Sequence, residues 1–291
     1  MKQLKVIVIL LIISCSAYAQ PAYMNKKTKK PTENDRFLQT QWWLGFKAGV
    51  NMSEATPGTR YSGYSPTNYS SDLLDKEYGS YDKINGQAGL EITFYHRGFS
   101  FSFQPNFRRV SFGYANEYSW VSTEDPTNTL TLRYDQTNKL DYIEMPLLIK
   151  YDIIKTTKLR PFVQAGFSFA TLSSAIKEIE ISGEDLASGS AGPFDNQNII
   201  IGATDLFIKP SMSYILGGGV AYDFWNVRLS LDASYRMGIT NITNAKNRYS
   251  ENQLSGLGDA MDDITLDNIS INFGCLFPLR FISSSGHNAV R

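Results

Sequence analysis

The chain predicts an all-β protein, an eight-stranded antiparallel up-and-down transmembrane β-barrel with short periplasmic turns and long extracellular loops. Three observations carry that prediction. Eight stretches alternate strictly between apolar and polar residues, their connections are alternately very short and very long, and the chain opens on an export signal. In Val227 to Met237 every odd residue is apolar or aromatic, while the even ones are Arg228, Ser230, Asp232, Ser234 and Arg236. Strand side chains point to opposite faces with a period of two, so this segment has one greasy face and one hydrated face. Its length suits a tilted bilayer crossing.

The export signal fixes the first boundary. Lys2 and Lys5 form a basic start, Val6 to Ile13 an apolar run, and Ala17-Tyr18-Ala19 a cleavage site, so residues 1–19 read as a signal peptide. The apolar run is too short for a membrane helix. Ile12-Ile13-Ser14-Cys15 also loosely fits a lipoprotein signal, with Cys15 lipidated. Residues 20–41 are polar and basic, with Lys26, Lys27, Lys29 and Lys30, and read as a flexible periplasmic leader. The barrel occupies 42–281, and 282–291 form a periplasmic tail. Of 28 basic and 28 acidic residues, two lysines leave with the signal, so the mature charge is −2. That excludes a strong field for nucleic acid. Only Cys275 remains after cleavage, so no internal disulfide forms.

The strands follow in order. Leu44 to Ser53 sets Leu44, Phe46, Ala48, Val50 and Met52 against Lys47 and Asn51. Ile84 to Tyr95 sets Ile84, Ala88, Leu90, Ile92 and Phe94 against Asn85, Gln87, Glu91 and Thr93. Phe99 to Tyr114 changes phase at Arg108-Arg109: Phe99, Phe101, Phe103 and Phe107 are odd, and Val110, Phe112 and Tyr114 even. A β-bulge is the expected cause. Leu140 to Tyr151 turns Ile143, Met145, Leu147 and Ile149 outward and Tyr142, Glu144 and Lys150 inward. Leu159 to Ala170 turns Val163, Ala165, Phe167 and Phe169 outward, with Arg160, Gln164 and Ser168 inward. Ser211 to Phe224 carries Gly217-Gly218-Gly219, Val227 to Met237 follows, and Asp267 to Phe281 is the eighth.

Connections decide the topology. Short turns fall at His96-Arg97-Gly98, Lys155-Thr156-Thr157 and Trp225-Asn226, and the other four connections are long. Compact soluble domains rarely carry four long loops, whereas outer-membrane barrels do so routinely. Trp42, Trp43, Tyr95, Phe99, Tyr151, Phe224, Trp225 and Phe281 all fall at the short-turn ends, where an interfacial girdle belongs. In the third loop, Ile176 to Ile181 and Ile199 to Ile201 read as strand extensions above the membrane. A soluble lipocalin-like barrel also alternates, but its polar face would point to water. Here the continuous, aromatic-ended apolar face suits a lipid-facing wall around a polar lumen.

Several segments resemble the PorT-like outer-membrane β-barrel family of Bacteroidetes. Leu140-Asp141-Tyr142-Ile143-Glu144-Met145-Pro146-Leu147-Leu148-Ile149-Lys150-Tyr151 is similar to one of its strands and Arg160-Pro161-Phe162-Val163-Gln164-Ala165-Gly166 to the next. Gly45 to Asn51, Leu216 to Val220 and Tyr235 to Ile242 resemble others. Gln104-Pro105-Asn106 departs from the family's usual Gln-Pro-Glu, and ten residues follow Phe281, where a terminal aromatic is usual. The resemblance implies a signal-bearing, roughly eight-stranded outer-membrane barrel, and the family's namesake serves type IX protein secretion. It implies outer-membrane lipids and other secretion-system or envelope proteins as partners.

Lys47, Glu91, Arg108, Glu144, Lys150, Arg160, Arg228, Asp232 and Arg236 all take inward positions. Buried charges persist when paired, so a mixed-sign ladder through the lumen is expected, with Glu144 meeting Arg108 or Lys150. Eight strands leave room for side chains and little else. The only histidines, His96 in a turn and His287 in the tail, offer no catalytic or metal pair, and no cofactor motif is present. Asp259, Asp262 and Asp263 are oxygen ligands of the kind calcium takes, without a recognised loop pattern. The tyrosine-rich stretch from Arg60 to Tyr81 suits adaptable contacts. Two function classes follow: a structural or interaction barrel, and a small outer-membrane transporter or solute-binding barrel.

Overall fold

A computed structural model describes residues 40–61, 76–154, 158–186, 192–193, 197–224, 227–249, 254, 256 and 259–279. The signal peptide, most of the leader, residues 280–291, and the turn residues 155–157 and 225–226 lie outside the described residues. The strands are β1 (Thr40–Pro57), β2 (Glu77–Tyr78), β3 (Ser80–His96), β4 (Phe99–Phe103), β5 (Asn106–Val121) and β6 (Thr129–Asp152). Then come β7 (Leu159–Asp185), β8 (Gly192–Pro193), β9 (Gln197–Gly202), β10 (Pro210–Phe224), β11 (Val227–Gly238) and β12 (Ile264–Pro278). The wall runs β1, β3, β4 with β5, β6, β7, β10, β11 and β12, all antiparallel. β12 returns to β1, from Trp43 opposite Pro278 to Pro57 opposite Ile264, which closes an eight-stranded ring.

β4 and β5 form one wall strand interrupted at Pro105. Phe103 faces Leu147 and Asn106 faces Glu144, so the register to β6 is the same on both sides of the break. Proline has no N–H to give the ladder. Its carbonyl still accepts from Leu90 N at 2.9 Å, and Gln104 N donates to Pro146 O at 3.0 Å.

Arg97 and Gly98 join β3 to β4 with φ of 49° and 95°. Positive φ at both positions matches the two-residue hairpin whose twist suits the flanking strands.

The expected bulge at Arg108-Arg109 is not there. Phe107 and Arg109 remain outward, and Arg108, Val110, Phe112 and Tyr114 remain inward, with an unshifted register to β6. What changes at this level is the chemistry of the two faces, because the strand leaves the apolar surroundings and enters water. The register shifts lie elsewhere. On β7, Leu172 faces Tyr142 but Ser174 faces Asp141, so Ser173 is the extra residue and the inward set moves from even to odd. A second irregularity falls between Met52 and Glu54 of β1, opposite the β3 stretch holding Tyr81, whose φ is 51°.

The outward face defines a belt. Phe46, Leu90, Phe101, Leu147, Val163, Leu216, Leu231 and Phe273 are exposed around it. Trp42, Phe99, Tyr151 and Phe224 lie outward at its short-turn end. Trp43 and Tyr95, expected in that girdle, are inward and only 3% exposed. Each occupies an odd position on a strand whose lumen face is odd, so alternation overrides aromatic preference. At the other end the outward positions turn polar at Glu54, Arg109, Asp141 and Asp267.

β6 and β7 have 24 and 27 residues. About 10 tilted residues span a bilayer, so both strands continue well beyond the belt. β5 accompanies them, and β9 pairs with Ile176 to Ile181 of β7, so both third-loop segments are strands as expected. Inside this outer level lies an apolar core of Val110, Phe112, Leu140, Leu172, Phe207, Ile242 and Ile264.

Candidate functional site

All nine inward charges enter the lumen and pair in tiers. At the short-turn end Arg228 donates to both Asp223 carboxylate oxygens, at 2.6 and 3.0 Å, with its guanidinium over the Trp43 and Tyr95 rings. Arg160 lies 3.1 Å from Asp223 and 3.7 Å from Asp152, and donates to the Tyr95 hydroxyl at 2.8 Å. In the middle tier Lys150 meets Glu91 at 2.5 Å, and Lys47 meets Asp232 at 2.8 Å. Thr93 and Ser102 donate to Glu91, while Gln164 and Asn272 donate to Asp232. In the third tier Arg108 and Arg236 lie 3.1 and 3.3 Å from Glu144, which also accepts from Ser168.

Glu144 therefore takes Arg108, and a second arginine, while Lys150 serves Glu91. Sequence reasoning missed Asp152 and Asp223. The nine residues named from the sequence comprise six cations and three anions. Asp152 and Asp223 bring the anions to five, and continued alternation past Tyr151 and Tyr222 would have found both.

Above these tiers, the apolar core closes the lumen. Beyond it, residues 239–249 and 259–263 cross the mouth as a cap. Lys76, 5% exposed, lies 2.8 Å from Asp259 and 3.0 Å from Asp262. Lys177, also buried, lies 2.9 Å from Asp259. Tyr78 donates to Asp262 at 2.7 Å and Tyr114 donates to Asp259. Arg248 meets Asp263 at 2.6 Å and covers the Tyr61 ring. Calcium does not suit this set. Each carboxylate already faces a lysine or arginine, and among the described residues no cluster of three or more acidic, histidine or cysteine side chains is arranged to hold a metal. Tyr64 and Tyr69 of the tyrosine-rich stretch lie outside the described residues.

Two small voids lie among the described residues of the lumen. A void of about 20 Å³ is lined by Lys47, Gln87, Gln104, Gln164, Arg236 and Asn272. Another of about 10 Å³ lies beside Arg108 and Tyr142. Such volumes hold about one water each. His96 is exposed at the short turn, stacked on Phe94, and His287 lies outside the described residues.

A closed ring of eight strands with a polar lumen and an apolar belt defines an integral outer-membrane barrel. The sequence bears this out: the chain belongs to the outer membrane protein beta-barrel domain family, whose profile matches residues 23–244. Its location is the outer membrane. No curated protein matches it. Among solved structures it is similar to Neisserial surface protein A, at 12% identity and a TM-score of 0.33, covering 81% of this chain and 96% of that one. It is also similar to Ail of Yersinia pestis, solved with the heparin analogue sucrose octasulfate, at 9% identity and a TM-score of 0.28, covering 81% and 99%. The strand count rests on this chain's own pairing.

Proposed function

We propose that the protein is a non-enzymatic, non-conducting outer-membrane barrel with a structural or interaction role, whose work is done on the surface it raises above the membrane. One observation carries this reading: the lumen is filled by paired side chains and then closed by an apolar layer and a cap. A conduit needs a continuous wet path, and voids the size of single waters do not supply one. Purified protein in planar bilayers is expected to stay silent or give only small, irregular currents. Stable porin-like steps would overturn the reading in favour of a transporter.

The resemblance of Leu140 to Tyr151 and Arg160 to Gly166 to the PorT-like family extends the proposal to an accessory place in type IX protein secretion. Deleting the gene and measuring export of type IX cargo tests that extension. Unchanged export would remove it and leave the closed-barrel reading standing.

A further inference from the structure

Most of the wall is sealed by strand pairing, but among the described residues the edge formed by β9 is not. β10 pairs with β11, and the ladder continues upward as Ile208 N donates to Ile242 O and Asn244 N donates to Leu206 O, at 2.7 and 2.9 Å. There it stops, because the chain turns into a short 3-10 turn at Ala245–Asn247. β9 continues along β7 without a strand on its other side among the described residues.

The direction of its backbone groups can be assigned. Ala203 N donates to Ala175 O at 2.9 Å, one step past the Gly202–Ile176 pair. Antiparallel pairs alternate between bonded and non-bonded, so Ile201, Ile199 and Gln197 address β7. Asn198, Ile200 and Gly202 therefore direct their N–H and C=O groups to the open side. Asn198 and Gly202 are exposed and Ile200 is 64% exposed.

Natural edge strands usually carry lysine, proline, a bulge or a cover that blocks further pairing. Gln197-Asn198-Ile199-Ile200-Ile201-Gly202 has no charge and no proline. The outward face beside it carries Glu178 opposite Ile200, already paired with Lys139 at 2.6 Å, and the exposed Glu180 opposite Asn198, with Glu184 further along β7. The inward face offers Ile199 and Ile201.

We infer that the open edge of β9 is a docking site for an extended segment of another polypeptide, added as a further strand, apolar on its inward face and basic on its outward face. Backbone pairing supplies the attachment, and alternate side chains supply the selection. Lysine stems would cover Ile200 while their ammonium groups reach toward Glu180. The inference rests on the interaction reading above and names its partner's chemistry.

The probe is a short fluorescent peptide alternating Val and Lys, titrated onto the full-length protein in lipid nanodiscs. Saturable binding is expected, weakened by about tenfold or more in Ile200→Pro, which removes an open-side donor while sparing the β7 ladder. Ile200→Val should bind as the parent does. A Val and Glu peptide should bind at least about tenfold more weakly. Added Val and Lys peptide should slow amide exchange at Asn198 and Ile200. Absent binding, equal binding to Ile200→Pro, or equal binding of the Glu peptide would overturn the proposal. So would self-association of the parent that Ile200→Pro abolishes, because the occupant would then be a second copy. None of these outcomes bears on conductance, so the closed-barrel reading fails or stands separately.

Discussion

The membrane level and the outer level of this barrel are built by the same strands with opposite chemistry. In β6, Ile143 to Ile149 place apolar groups outward and Glu144 and Lys150 inward. A few residues earlier, Asp141 and Lys139 face outward and Leu140 faces inward. Along β6 alternation never falters; only the solvent on the outer side changes. Below the boundary, lipid takes the apolar face and buried polar groups must satisfy each other. Above it, water takes the polar face and the apolar groups pack as they do in a soluble sheet. A barrel crossing such a boundary needs no new strand, only an exchange of which parity is greasy. β7 adds a second device, the extra Ser173, which turns Lys177 and Ile179 inward and lets Lys177 meet Asp259 of the cap.

The largest test of that contrast strikes each interior by its own chemistry. Glu144→Ala leaves Arg108 and Arg236 without their carboxylate and should cost about 3–5 kcal/mol. Phe112→Ala, in the outer core, should cost about 3–5 kcal/mol through a cavity instead. Denaturant titrations of the folded protein in lipid vesicles would measure both. A loss below about 1 kcal/mol for Phe112→Ala would mean that the outer level is not packed as a core.

Next comes the outward face. Leu231→Arg places a charge in the lipid belt at about 2–4 kcal/mol, and should abolish heat-modifiable migration or insertion. Glu180→Arg, equally outward but in water, should change stability by less than about 0.5 kcal/mol. If Leu231→Arg inserts normally while a small apolar residue at Asp232 does the damage, the faces are reversed.

The boundary itself is expected to be soft. Arg109 donates to Asp141 at 2.7 and 2.9 Å, but its side chain is half exposed. Arg109→Ala should therefore cost no more than about 1 kcal/mol, less at high salt. A cost above about 3 kcal/mol would place this pair in lipid rather than water.

The smallest expected effect concerns pH. Burial alone would raise the Asp259 carboxyl, but Lys177, Lys76 and the Tyr114 hydroxyl hold it well below the usual carboxylate range. Stability from a depressed carboxylate is fully present above its unfolded pKa of about 3.9, and is lost as pH falls through the folded value. Protection factors of residues 259–263 should thus stay flat from about pH 8 to about pH 4.5. A loss of protection near pH 6 would mean that the cap is held by something other than these pairs.

Local alternation placed the eight strands and put nine charges on the inward face, though it missed Asp152 and Asp223. A period of two is a local property, and each of the nine inward charges could be read from its neighbours along the chain. Who pairs with whom was settled by closure of the ring, since Glu144 reaches Arg236 across 92 positions of sequence. The tertiary structure also decided that Val110, Phe112 and Tyr114 turn inward without a bulge, because hydrophobicity alone does not say whether lipid or a core receives an apolar face. The cap was equally hidden. Asp259 and Asp262 lie in a loop without periodicity, and their partners Lys76 and Lys177 become neighbours only once the ring has closed.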